Sequence, residues 1–164
     1  KETPELGMRL IQDLATASSS LGMIGGQMED IENEGQSVDA NTLEFIHKNK
    51  TAKLIQAAIS MGFAFSEESN QLSTEINQLG YHLGMSFQYI DDLLDIQSDA
   101  KTLGKPTGAD LNSDKLTSVK VYGIDGTQKK IAEHTEQVES LLDKIGGDTS
   151  ALRYYIQFLQ NRLY

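Results

Sequence analysis

Apolar residues recur along most of this chain at the three- and four-residue intervals of a helix. Leu6, Leu10, Leu14 and Leu21 set that spacing in the first stretch, which puts them on one face. Ser18-Ser19-Ser20 interrupts it, and a second helix is expected from about Leu21 to Asn33. Gly35 marks a break, and Asp39 or Asn41 can cap a short helix near residues 42–48. Between Thr51 and Phe65 the residues Leu54, Ile55, Ala57, Ala58, Ile59 and Met61 leave little polar face, the pattern of a buried helix. A long helix is predicted from about Asn70 to Ser98. Its Gly80 and Gly84, four apart, let a neighbouring backbone approach closely.

Gly104, Pro106 and Gly108 make residues 99–114 a loop. Helical spacing returns from about Thr127 to Ile145, Gly146-Gly147 stops it, and Asp148 or Thr149 caps a last helix. Strand-like alternation occurs only at Ser118–Tyr122, too briefly to decide. There is no internal repeat and no linker. The predicted class is all-α, with residues 1–164 forming a single unit.

Composition narrows the function. The 164 residues are long enough to bury a core, and no run approaches a membrane span. Lys1-Glu2-Thr3-Pro4 shows no apolar leader segment. Absence of Cys excludes a disulfide framework and a thiolate metal site. A net charge of −10 argues against nucleic acid as a partner. That charge is uneven. Residues 54–100 hold seven acids and no Lys or Arg, whereas residues 101–164 hold eight acids and nine bases.

The base-free stretch ends in Phe87-Gln88-Tyr89-Ile90-Asp91-Asp92-Leu93-Leu94-Asp95. On a helix, Gln88, Asp91, Asp92, Asp95 and Asp99 share an arc of roughly 100° with apolar residues on both flanks. Like charges at this spacing repel, and more strongly when half-buried, unless cations neutralise them. Hard oxygen donors so placed suit Mg²⁺, which takes one or two protein carboxylates together with substrate phosphates. A solvated acidic face is the plain alternative.

Leu103-Gly104-Lys105-Pro106-Thr107-Gly108-Ala109-Asp110-Leu111 follows, with Lys115 beyond it. A tight Gly/Pro loop can turn its amides toward an anion, and Lys105 and Lys115 would be point charges on phosphate oxygens. Asp110 can hold Lys105 or a metal-bound water. Surface turns use the same residues, so the loop gains weight from its place after the acidic stripe. Lys50-Thr51 is expected to open the apolar helix, where free N–H groups and the helix dipole favour an anion. Thr51 as a cap beside a surface Lys50 is the alternative. Gln27 and Asp30 share a helix face after Gly25-Gly26, which reads equally as a small-residue contact. His47, His82 and His134 share no ligand spacing and receive no role. Glu133, Glu136 and Glu139 read as a solvated face.

These motifs, in order, resemble the trans-isoprenyl diphosphate synthases of the farnesyl and geranylgeranyl type. The resemblance rests on Gly22-Met23-Ile24-Gly25-Gly26-Gln27 with Asp30, on Lys50-Thr51, on the FQYIDDLLD segment at 87–95, and on LGKPTGADL at 103–111 with Lys115 and Thr117. The aspartate segment looks like the family's second aspartate-rich motif. Class I terpene cyclases share DDxxD but lack the Phe-Gln before it and the Gly-Lys-Pro loop after it.

The resemblance implies an isoprenoid-synthase-type helical bundle and the head-to-tail condensation of an allylic diphosphate with isopentenyl diphosphate, dependent on Mg²⁺. It implies that Asp91 binds metal with Asp92 and Asp95 in support. Lys50, Lys105 and Lys115 would bind the allylic diphosphate, and Thr51 and Gln88 would place dipoles near the developing cation. Gln27 and Asp30 would border the cavity, with Asp110 behind it. A cytoplasmic homodimer is expected.

The chain departs from the family in length. Asp91-Asp92 is the only Asp-Asp pair, so the first aspartate-rich motif is missing, as are the residues expected to hold isopentenyl diphosphate. Ser118-Val119-Lys120-Val121 also differs from the Pro- or aromatic-bearing version common there. The chain therefore reads as the C-terminal half of such an enzyme, inactive by itself. Arg162 belongs to the segment expected to close the site. The competing reading is a non-catalytic helical subunit that regulates or dimerises with a complete synthase.

Overall fold

In the computed structural model the described residues are 3–66, 71–103 and 116–161. Local signals start the helices where the pattern asked for them. The Thr3 hydroxyl accepts from the Leu6 amide and Pro4 fills the first position, which opens α1 (Pro4–Ser18). α2 spans Met23–Glu32. Asp39, rather than Asn41, caps α3 (Ala40–Ile46) by accepting from the Thr42 amide at 2.8 Å.

The next step differs from the expectation. Helical backbone does not restart at Lys50-Thr51. It widens into a π-helical turn, His47–Ala52, and runs straight into α4 (Lys53–Phe63). Thr51 therefore caps nothing, and no helix N-terminus is available there for an anion. α4 is also less enclosed than its composition suggested. Ala57 is buried, while Leu54, Ile55, Ile59 and Met61 are half-buried, because α1 and α5 cover it on two sides only.

α5 runs from Ser73 to Leu103, so the helix extends into the stretch expected as a loop at residues 99–114. α6 (Ser118–Ile145) begins nine residues earlier than Thr127. The ambiguous Ser118–Tyr122 is its first turn, set off from the rest by Gly123 at φ 72°. Gly146 and Gly147, both at positive φ, end α6. Asp148 then accepts from the Ser150 amide at the start of α7 (Ser150–Asn161).

The core forms where α5 meets α6, with α7 beneath. Tyr89, Met85 and Leu142 are fully enclosed, and Ile156 and Leu159 of α7 close the cluster. On the opposite side of α5 the two glycines perform as their spacing predicts. A Cβ at Gly80 would lie 2.6 Å from the Gln56 Cα, and one at Gly84 would lie 2.5 Å from the Ala52 Cα. The backbone of α5 thus lies directly against α4 and the π turn. One helical turn further along, Gln88 is brought face to face with Thr51. Among the described residues no strand forms, and no helix is long and apolar enough to cross a membrane.

Candidate functional site

Beyond the Gly80–Gly84 contact a cavity of about 370 Å³ opens, walled by α5, the π turn, α2 and the segment before α6. α5 supplies Gln88, Asp91, Asp92 and Asp95 to its wall, the π turn supplies Lys50, and the segment before α6 supplies Leu116 and Thr117. α2 and the turn after it close the other side with Gln27, Asp30, Ile31 and Glu34. α2 is held there by Gly26, where any Cβ would overlap the Lys50 amide nitrogen. The Gly25-Gly26 pair is therefore a close-packing contact as well as the lead-in to Gln27 and Asp30.

The wide π turn fans three side chains toward different partners, a use to which such turns are often put at functional sites. Lys50 Nζ reaches across to Asp30 Oδ2 at 2.6 Å. Thr51 Oγ1 donates to Gln88 Oε1 at 2.6 Å. His47 points inward and brings Nε2 to 3.4 Å from Asp92 Oδ2. Gln88 passes the chain of contacts on, its Nε2 donating to Asp92 Oδ1 at 2.9 Å. The backbone amide of Ser118, at the start of α6, donates to Asp92 Oδ2 at 2.6 Å.

The three aspartates of the stripe are thus not equivalent. Asp92 is buried, and protein donors engage both its oxygens. Asp91 is half-buried and Asp95 exposed, one helical turn apart on the cavity wall. With Asp30 and Glu34 opposite, the described lining carries five carboxylates and one lysine. Among the described residues, no three carboxylate or imidazole groups converge into a self-sufficient metal cage. The donor set does fit a hard divalent cation that takes one or two carboxylates and completes its shell from phosphate oxygens.

Lys105, Lys115 and Asp110 lie outside the described residues, as does Arg162. Sequence reasoning missed His47, Glu34 and the Ser118 amide. Glu34 had a signal, since 27, 30, 31 and 34 repeat a helical face. His47 had none, because its partner Asp92 lies far along the chain on another helix. Burial lowers the His47 pKa below the ordinary imidazole value, and the Asp92 carboxylate opposes this less strongly. The other two histidines, also without a role from the sequence, meet each other across α5 and α6, with Nδ1 of His82 2.9 Å from Nδ1 of His134.

A family model described as polyprenyl synthetase matches residues 5–157. The chain is 33% identical over 159 residues to a farnesyl diphosphate synthase of Geobacillus stearothermophilus, covering 97% of this chain and 54% of that protein. Against the farnesyl diphosphate synthase of Haemophilus influenzae it is 36% identical over 160 residues, with 96% and 54% covered. A crystal structure of geranyltransferase from Helicobacter pylori, complexed with magnesium and isoprenyl diphosphate, superposes with a TM-score of 0.78 at 29% identity, covering 99% of this chain and 53% of that one. The chain therefore spans about half the length of the curated relatives it matches.

Proposed function

The chain belongs to the polyprenyl synthetase family, and from that premise we propose that it is the C-terminal half of a trans-prenyltransferase and carries one wall of its reaction centre. The protein condenses an allylic diphosphate with isopentenyl diphosphate to give a longer trans-prenyl diphosphate. The observation that carries this reading is the cavity lined by Asp91, Asp95, Gln88 and Lys50, with Thr51 outside the lining as the donor to Gln88.

The chemistry asks for this arrangement. The C–O bond to the allylic diphosphate breaks and the diphosphate leaves with the electron pair. The isopentenyl double bond attacks the allylic cation, and a proton is then lost from the adduct. Negative charge gathers on the leaving group, so the site must hold an anion next to an apolar space. Lys50 binds diphosphate from the π turn, and Lys105 and Lys115, which lie outside the described residues, bind it with Lys50. Asp91 and Asp95 hold Mg²⁺, with Asp92 orienting the stripe. Mg²⁺, when bound, neutralises diphosphate charge and so makes it a better leaving group. Thr51 and Gln88 turn their oxygen dipoles toward the developing cation. Gln27 and Asp30 border the cavity, and Asp110 supports the diphosphate-binding lysines. The working protein is a cytoplasmic homodimer.

Labelled isopentenyl diphosphate, geranyl diphosphate and Mg²⁺ test the reading. A full-length protein bearing this chain should form a longer prenyl diphosphate, and the 164-residue chain alone should not. Asp91→Ala should lower turnover by about 10²–10³-fold while leaving the thermal midpoint nearly unchanged. A folded Asp91→Ala protein with parent kinetics removes the metal role. Turnover by the chain alone removes the fragment reading.

A further inference from the structure

His47 is buried close to the cavity, yet it does not line it. Its ring is fixed from the side by Tyr89, whose ring stands edge-on at 5.2 Å and 71°. Its Nδ1 is buried with no hydrogen-bond partner. An unpartnered imidazole nitrogen in a core costs stability that an apolar side chain of similar bulk would not. The compensation must lie at the other nitrogen, which faces Asp92 Oδ2.

Asp92 is where three elements meet. It accepts from Gln88 on its own helix and from the Ser118 amide at the start of α6, and it faces His47 of the π turn. An ionised carboxylate only accepts, so the nitrogen directed at it carries the hydrogen. The same rule fixes Gln88. Its Nε2 must face Asp92, which leaves Oε1 as the acceptor for the Thr51 hydroxyl. The orientation of the Thr51–Gln88 pair is therefore set from behind by the placement of one carboxylate. Without His47, the Oδ2 side of Asp92 is held by a single donor, the Ser118 amide, about which the group can swing.

We propose that His47 is a positioning residue of this site: its Nε2–H, directed at Asp92 Oδ2, holds the Asp92 carboxylate and through it the Gln88 amide and the Thr51 hydroxyl. This rests on the prenyltransferase reading of the cavity. It assigns His47 no contact with substrate and no proton transfer. Its function is to keep two dipoles aimed, and small misplacements of such groups act on the rate more than on binding.

The test has two arms. In the chain itself, long-range ¹H–¹⁵N spectra should show His47 as the neutral Nε2–H tautomer. The Ser118 amide proton should resonate far downfield and shift in His47→Leu. In the full-length protein, His47→Leu should lower kcat by about 10- to 100-fold, with KM for the allylic diphosphate within about twofold and an unchanged or raised melting temperature. His47→Gln, which returns a donor near the Nε2 position, should recover most of kcat. Parent kcat in His47→Leu, a Gln variant no better than Leu, or an Nδ1–H tautomer overturns the proposal. Absence of prenyl transfer in the parent protein overturns the functional reading instead. The tautomer and the Ser118 amide, which need no substrate, separate the two failures.

Discussion

The side of α5 that meets α6 and the outer side of α1 and α2 carry the same kinds of residue in opposite circumstances. Met85, Tyr89 and Leu142 are fully enclosed. Met8 is 67% exposed, Ile11 64%, Ile24 53% and Met28 50%. Periodicity identifies which face of a helix is apolar, but it does not tell whether anything covers that face. The difference divides the molecule into a part that carries its stability and a part that carries little. The cavity lies on the seam. Its acidic wall belongs to the packed side, and its Gln27–Asp30 wall belongs to α2, held by the Gly26 contact and the Lys50–Asp30 ion pair.

The sharpest way to break this comparison is to truncate one residue on each side. Leu142→Ala removes a side chain with no exposure and should cost about 2–5 kcal/mol. Urea unfolding followed by circular dichroism measures it. A loss under 1 kcal/mol would mean that the α5–α6 contact is not the main source of stability.

Acid should act on the packed side next. At 2.9 Å the facing Nδ1 atoms of His82 and His134 need one donor and one acceptor, so the pair cannot be doubly protonated as it stands. Burial, then His82, then Lys130 lower the His134 pKa to about 4, while an unfolded histidine sits near 6.5. Below about pH 6.5 the unfolded chain takes up a proton that the folded chain refuses. The pair's contribution is therefore complete above pH 6.5 and is lost progressively as pH falls toward 4. The loss should be of order 2–3 kcal/mol. Melting temperature measured from pH 8 to pH 4 checks it, and His134→Phe should flatten that slope.

Gly84→Ala sharpens the comparison at the seam. The new Cβ would press on the Ala52 backbone, an overpacking worth about 1–3 kcal/mol. Its particular mark is directional. It should move the π turn away from α5 and separate Thr51 from Gln88, so the Thr51 hydroxyl loses its acceptor. Gly62, where a Cβ meets nothing, supplies the control: Gly62→Ala should be neutral or slightly stabilising.

Most of the helices were legible because their boundaries depend on neighbours in sequence: Asp39 as a cap, Gly146 as a stop, Gly80 and Gly84 as a close contact. The π turn was not. Lys50-Thr51 before an apolar run looks like a helix start, and only the packing of α5 shows that the backbone passes through it unbroken. The acidic stripe was legible as a stripe, since one helix carries it. Its division into a buried Asp92, engaged by protein donors, and a more open Asp91 and Asp95 was not, because His47 and Ser118 reach Asp92 from separate elements. Burial failed in the same way. Leu54 and Ile55 read as core, and Leu14 and Leu21 as part of one apolar face that the fold leaves exposed, since sequence pattern counts apolar residues and not the surfaces set against them.

The smallest expected effect tests the open side directly. Ile11→Gln and Met28→Gln replace side chains that the fold leaves more than half or about half in water. Little apolar area returns to solvent on unfolding, so transfer energy offers little to lose. Propensity favours the change slightly at Ile11 and is neutral at Met28, since Gln is a better helix former than Ile and equal to Met. The pair should therefore shift chain stability by no more than about 0.5 kcal/mol, measured in the same urea titration as Leu142→Ala. Solubility should rise, because an open row of Met8, Ile11, Leu21 and Ile24 favours self-association. A loss above 1 kcal/mol would show that α1 and α2 cover one another in solution, and the two sides would then differ less than their exposures indicate.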